Sequence, residues 1–417
     1  MPNARRVALG VFVAIILSVG ASAADWPGPW TELASDGTLS VRIAVAAGTA
    51  CPKATADGID LPMAPRVGAD DGFPVAVCEA RAPVATRRLI VGDSPAPILP
   101  PEVRRIVVIG DTGCRLEGRA VQDCNDPEAW PFAAIARRAA SRKPDLVIHV
   151  GDYYYRETAC PVDRTGCAGS SHGDNWETWE EDFFAPAAPL LAAAPWVMVR
   201  GNHELCRRGG RGWFRLLDPH PASLVCADQT DPYRLHIVGL DLLWFDGADA
   251  DDFSASAAKV AVYAAQLAGL LAAAPPHAWL LTHRPIWALA QGDIAGTNLN
   301  ATEQGAIHGQ VPPGLDLVVS GHLHDFTSYE FGPDRPAQLI IGDSGDTMLE
   351  LGKTPLTGAT IDGMPVVSGF ALKRFGYFIM EATAGGWDGT LYGSDDAVLA
   401  HCQLRGRSLE CSPGQAQ

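Results

Sequence analysis

Seven side chains in the middle of the chain are of types that hold metal ions: Asp111, Asp152, Asn202, His203, His283, His322 and His324. Two carboxylates, one amide oxygen and four imidazoles mix hard oxygen with nitrogen donors. Such a set suits iron, manganese or zinc, and differs from calcium sites and from copper–thiolate sites. A single carboxylate can bridge two ions with its two oxygens, and two ions roughly 3.5–4 Å apart can activate a water and clamp a phosphoryl oxygen together. Arg284 adds a guanidinium fork beside His283, a shape that matches phosphate. Each piece alone has an ordinary explanation, since Gly-Asp is a common turn or helix cap and Asn-His is frequent in loops. Their shared placement carries the argument.

Each block closely follows a short apolar run. Residues 106–109 precede Gly110-Asp111, residues 146–150 precede Gly151-Asp152, and residues 196–199 precede Gly201-Asn202. Residues 279–281 precede His283, and residues 317–319 precede Gly321-His322. Runs of this length bounded by glycine or polar residues predict buried strands, while residues 127–142 and 254–274 predict amphipathic helices. Strands alternating with helices imply an α/β core whose ligands sit beyond the carboxyl ends of the strands. The alternation by itself permits one doubly wound sheet or two packed sheets.

Taken in order, Gly110-Asp111-Thr112-Gly113, Gly151-Asp152-Tyr153-Tyr154-Tyr155, Gly201-Asn202-His203-Glu204, Leu281-Thr282-His283-Arg284 and Gly321-His322-Leu323-His324 resemble the five blocks of the calcineurin-like metallophosphoesterases. Tyr155, three residues after the second aspartate, makes the chain look most like the purple acid phosphatase branch, and the stretch Ile341-Gly342-Asp343-Ser344-Gly345-Asp346 is similar to a segment of that branch. The resemblance covers roughly residues 104–346 and implies a two-sheet αββα sandwich. It further implies a first metal held by Asp111, Asp152, Tyr155 and His324, and a second held by Asp152, Asn202, His283 and His322, with Asp152 as the bridge. A phenolate on the first ion would favour Fe(III), with Fe(II), Zn or Mn beside it. His203 is left uncommitted next to a ligand, which makes it the candidate catalytic residue, positioning phosphate and protonating the leaving oxygen. Asn202, His203 and Arg284 are the candidate substrate contacts. If Tyr155 merely continues a strand, the site is that of a purely divalent phosphoesterase. The chain departs from plant-like members, which carry further histidines shortly after the fourth block; here Arg284-Pro285-Ile286-Trp287-Ala288-Leu289-Ala290 follows. The implied activity is hydrolysis of phosphate monoesters by a metal-activated water. A phosphodiesterase or nucleotide hydrolase with divalent metals, and a non-catalytic envelope phosphate-binding protein, are the alternatives.

The rest of the chain sets the context. With 417 residues, 47% apolar and 19% charged, it can bury a sizeable core. Its formal charge is −16, or −18 without an N-terminal segment whose only charges are Arg5 and Arg6. Such a surface repels nucleic acid and anionic lipid, so any phosphate chemistry needs a local source of positive charge; a small phosphate ester as partner is what the resemblance implies. Residues 1–24 have the basic start, apolar run and small residues of a cleavable secretory signal, and the apolar run is too short to span a bilayer. All 10 cysteines follow that segment, and none forms a Cys-x-x-Cys pair. Disulfides between sequential neighbours in a periplasmic or secreted protein are therefore expected. Residues 25–100 read as a small β-rich N-terminal module and residues 101–417 as the metallophosphoesterase domain. Arg207, Arg208 and Arg211 read as loop charges that could also face phosphate. Glu204 reads as an orienting acceptor or a cap, and Trp176, Trp179, Phe183 and Phe184 as packing.

Overall fold

The computed structural model describes residues 27–414 apart from 224, 273, 291–295 and 353–354. The expected signal at residues 1–24 lies outside the described residues. An eleven-stranded sheet has at its centre the parallel strands Arg105–Ile109, Leu146–His149 and Trp196–Met198. A seven-stranded sheet is built on the parallel strands Leu240–Trp244, Ala278–Leu281, Leu315–Ser320 and Ala337–Ile341.

Side-chain alternation explains how these sheets stack. In Ala278–Leu281 every residue is buried, but Trp279 and Leu281 join the core shared with the first sheet, whereas Ala278 and Leu280 pack with helices Ala257–Leu271 and Ala301–Ile307. Successive strand side chains point to opposite faces, so a sheet buried on both sides reads as a continuous apolar run. Trp244 crosses between the sheets, its indole N–H donating to the Met198 carbonyl at 2.9 Å. Helices Phe132–Ser141 and Ala185–Leu191 cover the outer side of the first sheet through Phe132, Ile135 and Leu190. The architecture is thus the αββα sandwich, not a single doubly wound sheet. The first helix begins at Phe132 rather than at residue 127 because Trp130 precedes Pro131, and a residue before proline is disfavoured in the helical region. The long helix begins at Ala257, where the Ser256 side chain accepts from the Lys259 N–H.

The N-terminal region is β-rich. Trp30–Leu33 runs parallel to Trp196–Met198, with Glu32 opposite Trp196, and Leu39–Ala46, Val75–Ala82 and Ala64–Val67 follow in order, extending the first sheet. Strands Ala54–Ala56, Ile59–Leu61, Leu89–Val91 and Ser94–Ala96 form a four-stranded sheet of their own. On the opposite edge, Gly376–Thr383, Gly386–Gly393, Val398–Arg405 and Ser408–Pro413 complete the first sheet with antiparallel pairs. Disulfides join Cys51 to Cys78, Cys114 to Cys124, Cys160 to Cys167, Cys206 to Cys226 and Cys402 to Cys411, the sequential pairing. Five such bonds fit an oxidising environment. No helix among the described residues is long and apolar enough to cross a membrane.

Candidate metal centre

The site lies where the central strands of both sheets end. Asp111 and Asp152 follow strands of the first sheet and His322 follows one of the second, and all three hold left-handed backbone, with φ of 54°, 59° and 71°. Positive φ costs a non-glycine residue energy and persists where the surroundings dictate it, as they do at functional sites. Here the turn aims each side chain back over the strand ends. Two glycines make the approach possible: a Cβ on Gly151 would strike the His283 ring, and one on Gly321 would strike the Asp111 carboxylate. The glycine of one block is therefore required by the side chain of another.

Around Tyr155 the chemistry is short of protons. Its Oη lies 2.9 Å from Asp111 Oδ1, 2.9 Å from Asp152 Oδ2 and 3.1 Å from His324 Nε2. His324 Nδ1 is 2.9 Å from the Thr347 carbonyl, which can only accept, so in the neutral ring Nδ1 carries the proton and Nε2 presents a lone pair. Burial opposes the imidazolium, but Asp346 and Asp111 outweigh it and raise this pKa, so without a metal the ring can also carry a second proton. One hydroxyl proton cannot serve three acceptors, and a cation among them resolves the conflict. Burial drives the Tyr155 phenol well above its ordinary range, and Asp111 and Asp152 drive it further, so only a cation would favour the phenolate.

A second convergence shares Asp152. His283 Nδ1 faces the Val150 carbonyl at 2.8 Å, which leaves Nε2 directed at Asn202 Oδ1 and Asp152 Oδ2, each 3.1 Å away. With a neutral ring these are again acceptors facing acceptors. Burial disfavours the His283 imidazolium, but Asp152 outweighs it and pushes the pKa up to about 9, so in this arrangement the ring itself serves as the cation. Asp152, His283 and His322 offer ligand atoms all within 4.8 Å of one another. His322 Nε2 is engaged by Arg284 Nη1 at 2.9 Å and lies 3.4 Å from Asp252 Oδ2, leaving Nδ1 as its free nitrogen. Both convergences fit metal ions, and a histidine whose other nitrogen is tied to a carbonyl is the usual support of a metal ligand.

Three buried acids hold this geometry; of these the sequence points to Glu204 as an orienting acceptor or a cap, and does not single out Asp182. Asp182 accepts from the N–H groups of Cys114 and Tyr155, both at 2.7 Å, and from Arg156 Nε at 3.0 Å. Asp346 is gripped by Arg115, whose guanidinium lies 4.7 Å from the Tyr155 ring centroid. Glu204 serves backbone rather than an imidazole: its carboxylate accepts from the N–H groups of Asp152, Tyr153, Tyr154 and Gly201 at 2.8–3.2 Å. Asp182 lies in the π-helical turn Glu180–Phe184, and among the neighbouring aromatics Trp179, Phe183 and Phe184 are fully buried as packing. Local sequence does not mark Asp182, which is one of four acids with Glu177, Glu180 and Glu181 among these aromatics.

The His203 ring packs against Tyr155 with ring centroids 3.8 Å apart and planes tilted by 38°, and the backbone N–H of His203 donates to Asp152 Oδ1 at 2.8 Å. Its Nδ1 lies 2.8 Å from Glu157 Oε1 and its Nε2 4.0 Å from Asp152 Oδ2. Burial holds this imidazole well below its usual pKa. The arginines divide. Arg208 is bound to Glu157 and Glu117, and Arg211, in helix Gly210–Leu216, to Asp70, so these two are structural charges. Arg284 stays at the site, paired with Asp252 at 2.6 Å beside His322.

Comparison with known proteins agrees with this geometry. The family model for calcineurin-like phosphoesterases matches residues 104–326. Among solved structures, a purple acid phosphatase isolated from yellow lupin (Lupinus luteus) seeds is similar with a TM-score of 0.56 at 13% identity, over 89% of this chain and 72% of that one. PhoD is similar with a TM-score of 0.53 at 12% identity, over 95% of this chain and 94% of that one. At these identities the likeness is one of fold. No curated protein matches the chain in sequence.

Proposed function

The chain belongs to the calcineurin-like phosphoesterase family, and on that premise we propose that it is an exported phosphate monoesterase of the purple acid phosphatase kind, working with two metal ions. Asp111, Asp152, Tyr155 and His324 would hold the first ion, with Fe(III) favoured by the phenolate. Asp152, Asn202, His283 and His322 would hold the second, which would be Fe(II), Zn or Mn. When bound, the ions would acidify a water and polarise the phosphoryl oxygens. The observation that carries the reading is the Tyr155 hydroxyl, buried within 3.1 Å of two carboxylates and an imidazole nitrogen, all three of ligand type.

The chain's own residues supply the rest. Asn202 and Arg284 border the second-ion side, where the amide and the guanidinium can orient a phosphoryl group. His203 stands on the Tyr155 side. Burial keeps its free ring neutral, while a phosphate dianion alongside would favour the imidazolium, which can then hold the ester oxygen and protonate it as it leaves. The disulfides and the secretory order of residues 1–24 support export to the periplasm or beyond.

The test is elemental analysis and a visible spectrum of protein purified from an oxidising compartment without added metal. About two metals per chain including iron, with a broad band that Tyr155→Phe abolishes and an acidic to near-neutral optimum, is the expected result. Two divalent metals, no band and an alkaline optimum would remove the iron–phenolate claim. Faster turnover of a chromogenic diester than of the matching monoester would favour the phosphodiesterase reading. Metal binding without turnover of either would leave a binding protein.

A further inference from the structure

The N-terminal strands grip the segment that carries His203, through two buried guanidiniums. Arg42, on Leu39–Ala46, donates to the carbonyls of Leu216 at 2.9 Å and Asp218 at 2.8 Å. Arg66, on Ala64–Val67, donates to the carbonyls of Asp218 at 2.9 Å, His220 at 3.0 Å and Phe214 at 3.4 Å. Phe214 and Leu216 belong to the last turn of helix Gly210–Leu216, whose carbonyls have no partner within the helix. Cations there also oppose the negative end of the helix dipole. From the same N-terminal region, Asp70 binds Arg211 at 2.5 Å and Arg215 at 2.8 Å, and both arginines pack on Phe73.

This helix is tied to His203 with little slack. Gly209, its N-cap, donates to the His203 carbonyl at 2.8 Å. A Cβ on Gly209 would strike Tyr154, and one on Gly212 would strike the Trp179 indole. The Cys206–Cys226 bond closes the same loop. A shift of the helix therefore moves the His203 backbone, and with it the ring packed against Tyr155.

We propose that Arg42 and Arg66 are positioning residues of the hydrolytic reaction: they anchor helix Gly210–Leu216 by its C-terminal carbonyls and so fix His203 over Tyr155. This gives the N-terminal strands a catalytic purpose, and it rests on His203 acting at the phosphate as proposed above. Misplacing a reacting group by about 1 Å through a distant change can cost roughly a hundredfold in rate. A partial loss of anchoring should cost less.

A double-mutant cycle with a chromogenic phosphate monoester tests the proposal. Arg66→Gln is expected to lower kcat about tenfold with KM and metal content nearly unchanged, and Arg66→Lys to restore part of it. In a His203→Ala background, Arg66→Gln should add less than about twofold, because the residue through which it acts is gone. Equal losses in both backgrounds, or no loss in either, would overturn the positioning role and leave His203 as the catalytic residue. A silent His203→Ala would overturn the role of His203 itself, visibly and before the cycle is closed. Should Arg66→Gln fail to fold, Asp70→Asn, a half-exposed partner of the same helix, enters the same cycle with an expected loss of about threefold.

Discussion

Two clusters of buried acids lie in this molecule, and they are neutralised in opposite ways. In the N-terminal cluster Glu32 and Glu79 pair with Arg42, and Glu79 and Asp218 pair with Arg66. At the strand ends Asp111 and Asp152 meet imidazoles, a phenol and backbone N–H groups, and no Arg or Lys is among their contacts in the described residues. Behind them Asp343 is fully buried with neither carboxyl oxygen hydrogen-bonded, and burial holds it well above its usual range. The first cluster carries its own cations and serves structure. The second has only protonated imidazoles to set against its carboxylates, a role that bound metal ions can take over when the rings turn neutral.

Asp152→Asn attacks the contrast where it is strongest, because Asp152 belongs to both halves of the metal centre. Turnover should fall about a thousandfold, roughly 4 kcal/mol of transition-state stabilisation, with metal lost in elemental analysis. Retained activity would mean that the acids at the strand ends do not gather the ions. Arg42→Met should leave the metal centre intact but deprive the ionised Glu79 and the buried carbonyls of Leu216 and Asp218 of a partner, at a cost of about 3 kcal/mol in denaturant unfolding; an unchanged midpoint would show that the N-terminal pairs carry no structural load. Tyr155→Phe should remove the visible band and lower kcat about tenfold, roughly 1.4 kcal/mol, and survival of the band would point to a different ligand. The smallest effect is a pH dependence. Burial raises Glu32 from 4.5 to about 8 against the pull of Arg42 and Arg66, so the folded state binds a proton that the unfolded state releases. That contribution is complete below pH 4.5 and is lost as pH rises towards about 8. Glu32→Gln should flatten the stability curve across that window, and a wild-type curve that is already flat there would refute the shift.

Legibility in the sequence followed locality. A strand and the polar residue that ends it are neighbours in the chain, so the apolar runs before Asp111, Asp152, Asn202, His283 and His322 could be read directly, whereas ten cysteines permit many pairings and the sequential one is fixed only by the fold. Asp182 was harder. Its partners are backbone N–H groups on other segments, at Cys114 and Tyr155, and nothing in the local pattern marks an acid that will be buried to receive them. Glu204 could be read as a cap, which its bond to the Gly201 N–H is, but its reach to Asp152, Tyr153 and Tyr154 is long-range. The same holds for the N-terminal strands. Residues 25–100 showed β character, but their parallel join to Trp196–Met198 is a long-range pairing that no turn residue announces.

By itself the sequence determined the donor types, the strand ends that deliver them and the acidic balance that makes local cations necessary, because these depend on residue identity and short-range periodicity. Only the tertiary structure decided which nitrogen of each histidine stays free, which acids are paired by arginine and which are left to a metal, and that the N-terminal strands hold the His203 segment. Those outcomes depend on distances of about 3 Å between groups far apart in the chain, where hydrogen-bond donors and charge partners are allotted by packing.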